Sequence, residues 1–377
     1  MIRKLHVSQF RGYSDFRMER LGSINLLVGG NNSGKTSLLE AIELLLAHGD
    51  PRSLWNALSR RGERVWDDED RRGAAELDIC RLFHNYDLQI GSSLEIRASD
   101  DFDEQLLRAT LLEKLVETPE QDWRQAQLPT FPQEPPFGGT ALSLQWKGGS
   151  NEEEETLLPL TDRGGLSFDG IRRRPPRRED QRQPVSFVTT SSLSSEEVVL
   201  LLSRYVLNPE EEVLLKALRI IEKDIERIAP VAGTQSLPGY GGQNSTRGGV
   251  VIKCRNVKTR LPIGTMGDGI WRLLSLALSL IRAEHGVLLV DEIDTGLHYT
   301  VMEDMWRLVY LTARRLGVQI FATTHSSDCW KALAAICRDP NIGADATIQH
   351  IERGKSQSTS FAGREIIIAA ERGFEVR

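Results

Sequence analysis

Three largely apolar runs stand out along the chain because they do not alternate with polar residues: INLLV at 24–28, VLLV at 287–290 and VQIFA at 318–322. Short runs without a period of two describe strands buried on both faces, as in a parallel sheet covered by helices. Each opens at its carboxyl end into a polar cluster, respectively GGNNSGKT, DEIDTGLH and TTHS. The stretches SLLEAIELLL, IWRLLSLALSLIRAEH and SSDCWKALAAIC read as helices. Strand, polar turn and helix in repetition predict an α/β fold.

The remaining pattern is weaker. Residues 2–16 predict a strand pair, 141–146 a short strand, 347–352 another strand and 363–372 a last helix. Asn208 and Pro209, as N-cap and first helical residue, predict a helix running to Ile228. Leu214, Leu218, Ile221, Ile225 and Ile228 form a four-three stripe along it, barely two heptads long, which fits packing against a sheet better than a long coiled coil. The Pro-rich stretch 128–137, the acidic run Glu152 to Glu155 and an arginine cluster (Arg172, Arg173, Arg174, Arg177, Arg178 and Arg182) read as exposed connections.

The first polar cluster fits G-x-x-x-x-G-K-[ST] through Gly29, Gly34, Lys35 and Thr36, in the strand–loop–helix setting that pattern requires. Its glycines let backbone N–H groups curl around phosphates, and the following helix aims its positive end at the same anion. Lys35 is expected on the β- and γ-phosphates of ATP, and the Thr36 hydroxyl on Mg²⁺. Asn31, Asn32, Ser33 and Ser37 complete the expected nucleotide contacts. The second apolar run delivers Asp291 and Glu292 at the sheet edge where ligands bind. Asp291 is expected to hold Mg²⁺ through its outer shell, and Glu292 to polarise the attacking water. The third run ends in Thr323, Thr324 and His325, with His325 read as a γ-phosphate sensor.

With these strings in place, the chain resembles an ABC-class P-loop ATPase of the branch that contains SMC, RecF-type and OLD (overcoming lysogenisation defect) proteins. The likeness covers both ends of the chain. IRKLHVSQFRGYSDF is similar to that branch's N-terminal strand pair with an aromatic-Arg-Gly turn, which implies that Arg11 lies near the phosphates. In the class, ATP on one protomer is completed by a signature loop from the other. Thr265, Gly267 and Gly269, before the helical run IWRLLSLALSLIRAEH, depart from LSGGQ but resemble the Gly-Asp/Glu-Gly form of OLD-like ATPases. Asp294 matches the D-loop, and His298 ends a Gly-Leu-His string typical of that group. No glutamine stands out as a Q-loop; ICRLFHNYDL, with His84, occupies roughly its place.

The resemblance implies an ABC-type mixed sheet with flanking helices, its core at 1–98 and 250–377 and an inserted, mainly helical or loop region at 99–249. It implies Mg²⁺-dependent ATP hydrolysis in an ATP-dependent homodimer that gates a separately encoded effector, such as a Toprim-type nuclease, in anti-phage defence or DNA maintenance. Two alternatives share the nucleotide chemistry. One is the energy-coupling ATPase subunit of a membrane transporter, disfavoured by the absent LSGGQ and the Phe-Arg-Gly turn. The other is a non-hydrolysing nucleotide-gated scaffold, disfavoured by Glu292.

Composition narrows the partners. A net charge of −6 over 377 residues gives no global case for nucleic acid, so any contact with double-stranded DNA is local, with the arginine cluster the obvious patch. Asp68, Asp70, Asp101 and Asp103 read as surface charge, not nuclease carboxylates, and the stretch after His325 is too short for a Toprim domain. Cys80, Cys254, Cys329 and Cys337 have no metal-ligand spacing and are expected as reduced thiols. Neither a signal peptide nor a membrane-length apolar run is legible, so a cytoplasmic protein without a membrane partner is expected.

Overall fold

The computed structural model describes residues 1–65, 76–86, 88–113, 139–149, 152–161, 163–168, 171, 183–231, 249–255, 257–339, 342 and 345–373. Its elements begin with β1 (Lys4–Phe10), β2 (Tyr13–Met18), β3 (Ile24–Val28), α1 (Lys35–Leu46), α2 (Pro51–Arg60), β4 (Glu76–Asp78), β5 (Ser93–Ser99) and β6 (Glu104–Glu113). Then come β7 (Thr140–Lys147), β8 (Glu153–Pro159), β9 (Gly165–Ser167), β10 (Val185–Val188), α3 (Ser195–Tyr205), α4 (Glu211–Arg219), β11 (Ile225–Pro230), β12 (Val250–Cys254) and β13 (Leu261–Pro262). The order closes with α5 (Asp268–Arg282), β14 (Val287–Val290), α6 (Met302–Leu316), β15 (Gln319–Thr323), α7 (Ser327–Ile336), β16 (Ala346–His350), β17 (Thr359–Ala362) and α8 (Arg364–Glu371).

Two compact units result, one of Met1–Lys4, Met18–Leu39 and Gln183–Arg377, the other of Leu5–Arg17 and Glu40–Arg182. This division differs from the one drawn at residues 98 and 249: residues 183–249 belong with the later nucleotide motifs, and 40–98 with the strand-rich part.

The first unit is built on a six-stranded sheet ordered β10-β14-β15-β3-β16-β17. All neighbours are parallel except β16 and β17. Every residue of β3, β14 and β15 is buried, as continuous apolar runs require. Removing each such Val, Leu or Ile from water stabilises by roughly 1.5–3 kcal/mol. The polar exceptions are saturated with partners. The Asn25 amide donates to the carbonyls of Gly22 and Ile320, and its oxygen accepts from the Gly22 N–H and the Thr347 hydroxyl. Gln319 does the same with Ile2 and Gly22, fastening the start of the chain to the sheet. The register pairs Val290 with Ala322 and Thr323 with Leu27, so three strand ends finish side by side, each followed by one of the polar clusters. A smaller antiparallel sheet, β11-β12-β13, lies in the same unit.

The helix expected over 208–228 is two different elements. Asn208 turns its amide back to the Arg204 carbonyl, closing α3, and α4 begins only at Glu211. The apolar stripe holds through Leu214 and Leu218, after which the chain turns and Ile225 and Ile228 become inward residues of β11. The α3 helix was not anticipated, although Ser194 and Glu197 form a complete capping box at its start.

In the second unit a six-stranded sheet runs β2-β1-β5-β6-β7-β8, antiparallel from β5 to β8. Period-two alternation of Leu94, Ile96 and Ala98 on β5, and of Leu107, Ala109 and Leu111 on β6, gives it a buried face. The described part of the inserted region before residue 168 is therefore stranded: the strand expected at 141–146 is β7, and β6 and β8 flank it where connections were expected. The acidic run is part of it: Glu153, Glu154 and Glu155 are ladder residues of β8, opposite Lys147, Trp146 and Gln145. The Pro-rich stretch 128–137, the arginine cluster, Asp68 and Asp70 lie outside the described residues.

Candidate nucleotide site

The glycine loop leaves β3 at a place only glycine tolerates. Gly29 has φ +148°, and a β-carbon there would stand 2.2 Å from the Ile351 carbonyl oxygen. The loop then turns through exposed Asn31 and Asn32 to Gly34, with Ser33, Lys35 and Ser37 buried. Lys35 is 5% exposed, and its ammonium donates to the carbonyls of Gly29 (2.9 Å) and Gly30 (2.8 Å) and approaches Ser33 Oγ at 3.3 Å. Burial lowers its pKa to about 8, against the opposing pull of Asp291 and Glu292.

Across the sheet edge, one carboxylate oxygen gathers two hydroxyls. Asp291 Oδ1 accepts from Thr36 Oγ1 at 3.0 Å and from Thr323 Oγ1 at 2.7 Å. The Thr323 hydroxyl in turn accepts from the Glu292 N–H at 2.8 Å. Thr36 and Asp291 thus fit the hydroxyl and carboxylate that a phosphate-bound Mg²⁺ uses. Among the described residues no group of three or more His, Cys, Asp or Glu could hold a metal by itself.

Glu292 is held in the left-handed region at φ +47°, which costs a non-glycine residue roughly 1 kcal/mol or more. The Thr295 hydroxyl donates to its Oε2 at 3.2 Å, and His325 Nε2 stands 3.9 Å from its Oε1. Carboxylate and imidazole are both about two-fifths exposed, and so reachable by water and phosphate. The neighbouring Ser326, not His325, caps α7.

The turn at Thr265–Gly269 is placed against the segment that follows Asp294. Gly267 is the N-cap of α5 and offers no capping side-chain oxygen, while Thr265 and Gly267 are exposed. A β-carbon on Gly269 would be 2.9 Å from the Gly296 carbonyl oxygen, so the helix start and the segment after Asp294 can approach this closely only through glycine. Asp294 accepts from Thr324 Oγ1 at 2.7 Å, which ties that segment to the end of β15. His298 pairs with the Thr300 hydroxyl at 2.9 Å.

In the second unit Arg11 is buried at φ +51°, its Nε 2.9 Å from Glu40 and its two terminal nitrogens on Glu63 at 2.7 and 3.1 Å. His84 Nδ1 lies 2.9 Å from the Arg11 carbonyl oxygen. These carboxylate partners were not foreseen, since the resemblance alone implied phosphate for Arg11.

One residue of the site escaped the sequence reading altogether. Arg272, one turn into α5, is 1% exposed and sits beneath the Asp291–Glu292 segment. Its only sequence signal is a single charge inside the apolar stretch IWRLLSLALSLI.

Residues 24–328 match the family described as "AAA domain, putative AbiEii toxin, Type IV TA system", and the chain belongs to that family. It is 20% identical over 375 residues to a Helicobacter pylori protein named ATP/GTP phosphatase, across 91% of this chain and 90% of that protein. Solved structures similar to it include an SMC head bound to the C-winged helix domain of ScpA (13% identity, TM-score 0.45, 96% of this chain and 97% of that one). Another is the SMC head domain from Thermotoga maritima (12% identity, TM-score 0.40, 96% and 98%). Family and site together define a P-loop ATPase: a glycine loop with its lysine, an acidic pair closing a buried strand, and a histidine just past the end of the strand between them. No helix among the described residues is long and apolar enough to cross a membrane.

Proposed function

We propose that this ATPase works as a paired switch, in which Mg²⁺-ATP held by Lys35, Thr36 and Asp291 of one protomer is completed by the Thr265–Gly269 turn of a second copy. The observation that carries this reading is the start of α5: an exposed helix N-terminus with a glycine N-cap and no side-chain cap, whose dipole suits a γ-phosphate. Presented reciprocally, loop and turn make a two-fold dimer with two nucleotides in its interface. Glu292 polarises the attacking water, His325 senses the γ-phosphate, and Asp294 relays between the end of β15 and the α5 start. Closure on ATP and release after hydrolysis then gate a separate effector, with ATP as fuel rather than target. A role in anti-phage defence or DNA maintenance is supported by the toxin–antitoxin description of the family and by the likeness to OLD-type ATPases.

The test is ATP hydrolysis and solution mass measured together on wild type and Glu292→Gln, with and without double-stranded DNA. Turnover should fall by ~10²–10⁴ in the variant while ATP holds it as a dimer. A variant that hydrolyses like wild type, or stays monomeric with ATP, contradicts the reading.

A further inference from the structure

The environment of Arg272 is unusual for a buried cation. Its side chain is 1% exposed, yet its guanidinium is spent on neutral oxygens. Nη2 donates to the carbonyls of Asp291 and Glu292, both at 2.7 Å; Nη1 donates to the Thr189 carbonyl at 2.6 Å and the Ser192 hydroxyl at 3.2 Å; Nε reaches toward the Ile293 carbonyl at 3.5 Å. All five N–H donors of an arginine are thereby directed at oxygen. Burial lowers its pKa to about 10, so the group is still a cation at neutral pH.

The same two peptides are held from their other side. The Glu292 N–H donates to Thr323 Oγ1 at 2.8 Å and the Ile293 N–H to the Thr323 carbonyl at 3.0 Å. Both peptide groups flanking Glu292 therefore have their oxygens on Arg272 and their hydrogens on Thr323. Glu292 meanwhile occupies a φ of +47°, a conformation that relaxes unless its surroundings enforce it.

We infer that Arg272 is a positioning residue that fixes the backbone of Glu292, and hence the aim of its carboxylate, from the first turns of the helix whose start carries the Thr265–Gly269 turn. The inference rests on Glu292 being the water-polarising group. It adds a mechanical link: α5 cannot shift at its start without moving the carbonyls of Asp291 and Glu292. The Thr189–Ser192 segment after β10 is carried by the same guanidinium, so three stretches of chain at one sheet edge move as a unit. A lysine keeps the charge but offers a single nitrogen in place of the planar fork, and serves only part of this set.

The test is a double-mutant cycle read by single-turnover ATP hydrolysis, with nucleotide affinity measured separately by a fluorescent ATP analogue. Arg272→Met should lower the hydrolysis rate at least tenfold and leave analogue affinity within threefold, and Arg272→Lys should recover part of the rate. Added to Glu292→Gln, Arg272→Met should change the residual rate by less than twofold, because the group it positions is already gone. Multiplying losses in that background, or affinity falling in step with rate, would overturn the assignment and leave Arg272 a packing residue. Should Arg272→Met not fold by circular dichroism, Arg272→Lys goes through the same cycle under the same criterion. Wild-type hydrolysis in Glu292→Gln alone is a separate result, which removes the role of Glu292 itself.

Discussion

Thr36 and Asp291, 255 positions apart, are joined by a 3.0 Å hydrogen bond from Oγ1 to Oδ1, so the start of α1 and the end of β14 present one hydroxyl–carboxylate pair. The same Asp291 oxygen accepts from Thr323, and Asp291 would hold Mg²⁺ through an outer-shell water. Asp291→Asn removes the charge with little change of shape. Mg²⁺ titration of hydrolysis should show a half-saturating concentration raised at least tenfold, with ATP binding in EDTA unchanged. An unshifted Mg²⁺ curve would remove Asp291 from the metal.

Lys35 gives a pH signature. Its pKa of about 8 in the free protein rises when phosphate charge arrives. Between about 8 and the higher bound value, ATP binding must take up a proton, and affinity must fall as pH rises through that window. Calorimetry at pH 8.5 in two buffers of different ionisation enthalpy should show net uptake; equal apparent enthalpies would contradict it.

The close approach of Gly269 to Gly296 fixes the sign of a substitution. Ala in place of Gly within a helix ordinarily stabilises by up to about 1 kcal/mol. Here its β-carbon meets a backbone oxygen at 2.9 Å, so Gly269→Ala should instead destabilise by roughly 1–3 kcal/mol. A raised melting temperature would show that the segment around Gly296 moves aside freely.

His325, 3.9 Å from Glu292 and partly exposed, is expected to act on the bound γ-phosphate and not on the fold. His325→Ala should lower kcat by about 10–100-fold, the worth of one hydrogen bond to a charged group, with melting temperature and nucleotide affinity nearly unchanged. Loss of affinity equal to the loss of kcat would make it an ordinary binding contact.

Much of this site is legible in the chain because its chemistry is local: the glycine loop, the acidic pair and the histidine each follow a buried strand directly, and the sheet register aligns their ends. What the sequence concealed is long-range or ambiguous in period. Ile225 and Ile228 continue the helical stripe of Leu214 and Leu218, and only the turn after Arg219 shows that they face inward from a strand. Glu153 to Glu155 look like a solvated loop because their partners, Lys147 to Gln145, lie on another strand. Arg272 carries no motif of its own, since its meaning comes from carbonyls some twenty residues away. The alternation on β5 and β6, by contrast, is legible in the chain on either side of Asp101 and Asp103.

The central claim, that each nucleotide is completed by a second copy, is tested most directly by mixing two inactive variants. Lys35→Ala disables the glycine loop and leaves the turn before α5 intact, while Thr265→Arg, at an exposed position, obstructs that turn and leaves the loop intact. Each alone should lack ATPase activity. Mixed in equal amounts, random pairing makes half the dimers mixed, each with one intact loop facing one intact turn, so about a quarter of wild-type activity should return. A mixture as inactive as its components, with mixed dimers confirmed by mass, would contradict the shared site.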